Sequence, residues 1–122
     1  MWYFAYGHNT NDLEMHKRLP NAKKIGKGLL HGYHLVLYKY ANIEPSNGYM
    51  TGVVWDLTLD ELKILDMYEE VPHVYRRKKV NIEVDGVKQS GVVYVMAKPI
   101  SGTPSKQYLQ WMRTGYKKNK LI

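Results

Sequence analysis

The sequence contains no cysteine. That absence removes disulfides, thiolate nucleophiles and cysteine-based zinc sites together, and it fits a chain kept in the reducing cytoplasm. Long apolar runs are missing too. None approaches the ~18–20 residues a membrane span needs, so no membrane partner is expected. The opening MWYFAYG has neither a basic n-region nor a small-residue cleavage site, and no signal peptide is expected. There is no Walker A loop, no G-x-S-x-G elbow and no dinucleotide fingerprint, so phosphate-cradling, serine-nucleophile and Rossmann chemistry have no motif to rest on. The histidines are scattered singly; only His31 and His34 lie close, and a strand would point them to opposite faces. With no third ligand beside them, no metal is expected. No repeat, linker or low-complexity segment divides the 122 residues, so one domain over 1–122 with one core is expected.

What is present reads as alternating strands and helices. Trp2, Phe4 and Tyr6 alternate with Tyr3 and Ala5, the pattern of a buried strand. Gly7 to Asn11 stop it with a short polar loop, a common way to expose backbone N–H groups ahead of a helix. Asn11, with Glu14 three positions on, resembles a capping box for a helix over residues 11–18, which Pro20 ends. A strand is expected over 23–40 with a bend or bulge at Gly32, then a loop over 41–48 by composition, then a strand over 49–57. Thr58 and Glu61 form a capping box for a helix whose apolar face carries Leu59, Leu62, Leu65 and Tyr68, and Pro72 forbids its continuation. Asp85-Gly86 joins strands over 75–84 and 87–96, with a bulge expected at Gly91. Thr103 and Pro104 are expected to open a last helix that turns Tyr108, Leu109 and Met112 inward, with Trp111 a further candidate for that face, and closes at Gly115. Mixed strands and helices with an antiparallel hairpin argue for α+β with a curved or closed sheet.

The net charge is +7. It reads either as a solvated lysine-rich surface or as a contact for nucleic acid or an acidic protein. The runs YRRKK (75–79) and RTGYKKNK (113–120) carry much of it, but side chains in a strand alternate faces, and no RNA-binding aromatic motif accompanies them. Nucleic acid is therefore not the expected partner. Glu69 and Glu70 stand where an apolar helix stops against an apolar strand. A carboxylate there is either a solvated helix end or a partly desolvated proton-transfer group with a raised pKa.

The stretch YFAYGHNTND resembles the YFAYGSN opening of the γ-glutamylcyclotransferase family, the AIG2-like or BtrG-like fold. RLPNAKKIGKGLLHGYHLVL resembles its second strand, and GVVWDLTLDELKILDMYE the approach to its LDxxEG. VYRRKKVNIEV and GVVYVM resemble its hairpin, and TPSKQYLQWMRTGY its closing PSxxYLxxIxxG. The order and spacing of these matches, from Tyr3 to Leu121, carry the likeness. It implies a small mixed β-barrel with flanking short helices and a cavity open at one end. It implies Glu69 as the catalytic general acid/base, a substrate cradle at Tyr6, Gly7, His8 and Asn9, and further cavity tyrosines at Tyr75, Tyr94 and Tyr108; plain barrel packing is the other reading of each tyrosine. His8 stands where the family has serine, and Glu70 where it has glycine. The implied partner is a small γ-glutamyl substrate, cyclised to 5-oxoproline without metal or organic cofactor. The alternative is a non-catalytic binding protein on the same fold, engaging an acidic protein or nucleic acid through its basic surface.

Overall fold

The computed structural model describes residues 1–121. Five strands close into a barrel: β1 (Trp2–Ala5), β2 (Lys23–Leu37), β3 (Ala41–Asp56), β4 (Tyr75–Val84) and β5 (Val87–Met96), in the order β1-β3-β2-β4-β5. Around it lie α1 (Asp12–Arg18), α2 (Leu59–Tyr68) and α3 (Lys106–Lys118). All neighbours are antiparallel except β1 and β5, whose parallel pairing closes the barrel. The mixed barrel with flanking helices is thus the architecture the family likeness implied. Among the described residues no helix is long and apolar enough to cross a membrane.

The alternation in β1 feeds two apolar clusters. Tyr3 and Ala5 pack with Met15 and Leu19 near α1 and with Leu62 and Leu65 of α2. Phe4 and Tyr6 pack with Leu30, Val54, Ile82 and Val93, and with Met112 of α3. Both faces of β1 are covered, which is why the segment is apolar throughout. The Asp85-Gly86 hairpin forms as expected, with φ of +50° and +80° at the two turn residues, the left-handed pair a two-residue hairpin turn requires. The Thr58–Glu61 capping box closes reciprocally.

Several local expectations are corrected. Residues 41–48 are not a loop but the first half of β3, paired with β2 from Leu37↔Ala41 onward. Burial of Ala41, Asn42 and Ile43 overrides the loop-like composition. Gly32 does mark a bulge, where three residues (46–48) lie opposite it between the pairs His31↔Tyr49 and Tyr33↔Pro45. Gly91 marks none: it pairs in register with Val80, and a Cβ there would stand 2.6 Å from the Trp2 carbonyl oxygen, so close strand approach is its reason. Asn11 caps α1, but Glu14 does not complete the box; its carboxylate turns to His8 and Lys17. Leu59 and Tyr68 are exposed, leaving Leu62 and Leu65 as the buried face of α2. The last helix starts at Lys106 behind an Ser105 cap, and it runs through Gly115 rather than ending there.

Glu70 adopts φ +51°, the conformation for which glycine is best suited, just after α2. Glu70→Gly should relieve that strain and raise stability by about 0.5–1 kcal/mol. Glu70→Ala keeps the Cβ and should gain nothing. Thermal unfolding of the two variants side by side distinguishes conformational strain from loss of charge.

Candidate active site

The first strand ends against a 3₁₀ turn, His8–Thr10, and the turn leads directly into α1. Gly7 precedes it with Tyr108 close against its Cα: a Cβ on Gly7 would lie 2.8 Å from the Tyr108 hydroxyl and 3.2 Å from the Ala41 Cβ. Beside the turn opens a cavity of about 600 Å³. Its lining includes all eight residues singled out from the sequence: Tyr6, Gly7, His8, Asn9, Glu69, Tyr75, Tyr94 and Tyr108. They come from five parts of the chain, brought together at one end of the barrel.

Glu69 is the C-terminal cap of α2, and its side chain is 16% exposed. Asn9 Nδ2 donates to Glu69 Oε1 at 3.2 Å, and Arg18 Nη1 stands 3.6 Å from the same oxygen. Burial raises the Glu69 pKa to about 7; Arg18 and the Asn9 hydrogen bond pull the other way, and neighbouring Glu70 adds a smaller upward push. A carboxyl with that proton affinity both gives and takes a proton near neutral pH. Its supports are themselves fixed. Asn9 is buried, with Nδ2 also donating to the Tyr3 hydroxyl at 3.0 Å and Oδ1 accepting from Arg18 at 3.3 Å. The Trp55 indole N–H donates to the Asn9 carbonyl at 3.2 Å, anchoring the turn to β3. The Asn9 amide is therefore spent on holding Glu69, Tyr3 and Arg18.

The tyrosines divide by what their hydroxyls do. Tyr75 donates to the Ala41 carbonyl at 2.6 Å, Tyr94 to Asp66 Oδ1 at 2.6 Å and Tyr6 to the Tyr94 carbonyl at 2.5 Å. These three present ring surface to the cavity with their hydrogens already used. Tyr108 accepts from the Ala41 N–H at 3.1 Å and Tyr3 accepts from Asn9, so among the described residues each retains a hydrogen to donate. Burial raises the pKa of both, Tyr108 to about 12, and keeps them neutral donors at any working pH. Gly7→Ala should push the Tyr108 hydroxyl off the Ala41 N–H. An expected loss of about 10–100-fold in kcat/KM, measured by steady-state kinetics with a circular-dichroism check of folding, would locate Tyr108 in the working geometry.

Sequence reasoning missed Tyr3 and Arg18. Arg18 lies in the basic last turn of α1, where an arginine reads as a partner for the helix dipole. Only the fold brings its guanidinium to Glu69 and over the Tyr68 ring, 4.9 Å from the centroid.

Comparison with known proteins shows what the chain as a whole is similar to. A protein of Methanocaldococcus jannaschii, provisionally named a gamma-glutamylcyclotransferase, is 33% identical over 95 residues, 72% of this chain and 77% of its own length. A solved structure named gamma-glutamyl cyclotransferase superposes with a TM-score of 0.90 at 28% identity, across 99% of this chain and 80% of that one. The crystal structure of an uncharacterized Homo sapiens protein gives 0.89 at 28% identity, across 98% of this chain and 80% of that one. The family profile described as gamma-glutamyl cyclotransferase, AIG2-like, matches residues 3–113, and the chain belongs to that family.

Proposed function

We propose that this protein is a γ-glutamyl cyclotransferase that releases 5-oxoproline and an amine or amino acid from a γ-glutamyl substrate, with Glu69 moving the proton. Family membership supports the reaction class. The observation that carries the assignment of roles is a largely buried carboxyl with a pKa of about 7, held on one oxygen by Asn9 at the wall of a cavity large enough for a γ-glutamyl dipeptide.

The substrate's α-amine attacks its own γ-carbonyl carbon. A C–N bond forms, the carbonyl π electrons move to oxygen, and the tetrahedral intermediate collapses by breaking the bond to the leaving amine. No water is consumed. Glu69 takes the proton that the attacking amine sheds and returns it to the leaving nitrogen, so it ends each turnover as it began. Because nucleophile and electrophile belong to one molecule, holding the glutamyl chain folded supplies much of the rate. Within the 3₁₀ turn the Thr10 N–H is bonded to the Gly7 carbonyl and the His8 N–H to the Tyr108 hydroxyl, which leaves the Asn9 N–H as the backbone donor suited to the α-carboxylate. Tyr3 and Tyr108, the hydroxyls with hydrogens to spare, are suited to the developing oxyanion. The experiment is incubation with a panel of γ-glutamyl amines and dipeptides, followed by detection of 5-oxoproline. A panel member converted at a rate that saturates with substrate supports the reading; no conversion across the panel by folded protein rejects it.

A further inference from the structure

Both nitrogens and one face of the His8 imidazole are committed. Arg18 Nη2 lies 2.9 Å from His8 Nδ1. A guanidinium carries only donors, so Nδ1 accepts and bears no hydrogen. Nε2 then carries the ring hydrogen and donates to Glu14 Oε1 at 2.9 Å. The ring stacks on Trp111, centroids 4.3 Å apart and planes 7° from parallel. Burial lowers the His8 pKa, opposed by the Glu14 hydrogen bond and aided by Arg18, which agrees with a neutral ring. Lys17 first, and His8 after burial's opposing effect, hold Glu14 below the usual carboxylate range, so it stays an acceptor.

The Arg18 guanidinium is planar and rigid. Seating Nη2 on His8 therefore fixes where Nη1 lies, and Nη1 reaches Asn9 Oδ1 at 3.3 Å and Glu69 Oε1 at 3.6 Å. We infer that His8 is a positioning residue: oriented by Glu14, it seats the Arg18 guanidinium against the Glu69 carboxylate. The consequence for rate rests on the role proposed for Glu69; the seating itself does not. A cation held beside a carboxylate favours its ionised form, so releasing the guanidinium raises the pH at which Glu69 ionises. The other groups facing Glu69 are Glu70 beside it and the hydroxyls of Tyr3, Tyr6, Tyr75, Tyr94 and Tyr108 from β1, its end, β4, β5 and α3. Burial keeps all five hydroxyls neutral through this range. Facing His8 are Glu14 and Lys17 of α1 besides Arg18, with Tyr108 of α3 at its ring edge.

The test is direct titration of the Glu69 carboxyl by carbon NMR in the intact, ligand-free protein, beside the pH profile of 5-oxoproline release. His8→Ala should raise the Glu69 midpoint by about 0.5 unit, and Arg18→Gln by about 1 unit. His8→Phe keeps the stack on Trp111, removes both nitrogens and should behave like His8→Ala. His8→Asn puts a carbonyl oxygen close to the Nδ1 position and should restore the original midpoint. The double variant His8→Ala/Arg18→Gln should move no further than Arg18→Gln alone, because both act through one guanidinium. An unmoved midpoint in folded His8→Phe, or shifts that add in the double variant, overturns the inference. If the midpoints move as expected and the acid limb of the rate profile does not follow, the seating stands and the proton-transfer role of Glu69 falls.

Discussion

Glu69→Gln should lower kcat/KM for 5-oxoproline release by about 10²–10⁴-fold and, at pH 8, make the protein more stable. The first half follows from chemistry: glutamine keeps the shape and the contact from Asn9 but can neither take nor return a proton. The second half follows from linkage. The folded chain holds the Glu69 proton up to about pH 7, whereas the ordinary carboxyl value is 4.5. Below both values folded and unfolded states are alike protonated, and Glu69 costs nothing. Between them the unfolded state has released a proton that the folded state still holds, so stability falls as pH rises. Above about pH 7 the penalty is constant, at about 2–3 kcal/mol after allowing for the carboxyl's partial exposure. The variant should therefore unfold roughly 10 °C higher than the unchanged protein at pH 8 and at nearly the same temperature at pH 4. Calorimetry at the two pH values, with kinetics on the same samples, checks both halves. A variant less stable at pH 8 would mean that attraction to Arg18 outweighs burial.

Gly115→Ala should be strongly damaging although it adds a single methyl group. Gly115 lies inside α3, where alanine is ordinarily the better residue by about 1 kcal/mol. Here α3 lies directly on the 3₁₀ turn. A Cβ at position 115 would stand 2.5 Å from the Thr10 carbonyl carbon and 2.6 Å from its oxygen, atoms of the backbone that no rotamer change moves. The two elements are also tied by Asn119 Nδ2 donating to the Thr10 carbonyl at 3.0 Å and Asn11 Nδ2 donating to the Trp111 carbonyl at 3.2 Å. Alanine must push α3 off the turn, stretching those bonds and shifting Trp111, on which His8 stacks. The expected cost is about 3 kcal/mol, or roughly 10 °C in Tm. Activity should fall more than partial unfolding explains, since the displaced turn carries Asn9. Thermal melts and kinetics well below the melting temperature check this; a variant as stable as the original would show that the helix gives way without strain.

Features set by neighbours in the chain were legible in the sequence. The Asp85-Gly86 turn, the Thr58–Glu61 box and the Asn11 cap are short-range devices, and each forms. Ala41 to Gly48 misled because Pro45, Ser46, Asn47 and Gly48 are turn formers by intrinsic preference, whereas the long β2–β3 pairing decides their conformation. Gly115 misled for a related reason: glycine after an apolar run reads as a helix end, and nothing local reveals a second backbone 2.5 Å from its missing Cβ. Glu69 was legible through the likeness of LDMYEE to a family pattern, and locally through its place between apolar segments. Arg18 and Tyr3 were not, because their relation to Glu69 crosses some fifty to sixty-six residues of sequence and exists only in the closed barrel. The meaning of His8 likewise depends on Glu14, Arg18 and Trp111, the last reached only through α3.

In the proposed reaction the substrate's own amine, and not water, attacks the γ-carbonyl. The most direct measurement runs the reaction in ¹⁸O-enriched water and analyses the products by mass spectrometry, using the best γ-glutamyl substrate from the panel and its α-N-acetyl counterpart. Intramolecular attack should give one equivalent of free amine for each 5-oxoproline, no ¹⁸O in the 5-oxoproline and no turnover of the acetylated compound. Glutamate carrying ¹⁸O in its γ-carboxylate, or turnover of the acetylated compound, would contradict it.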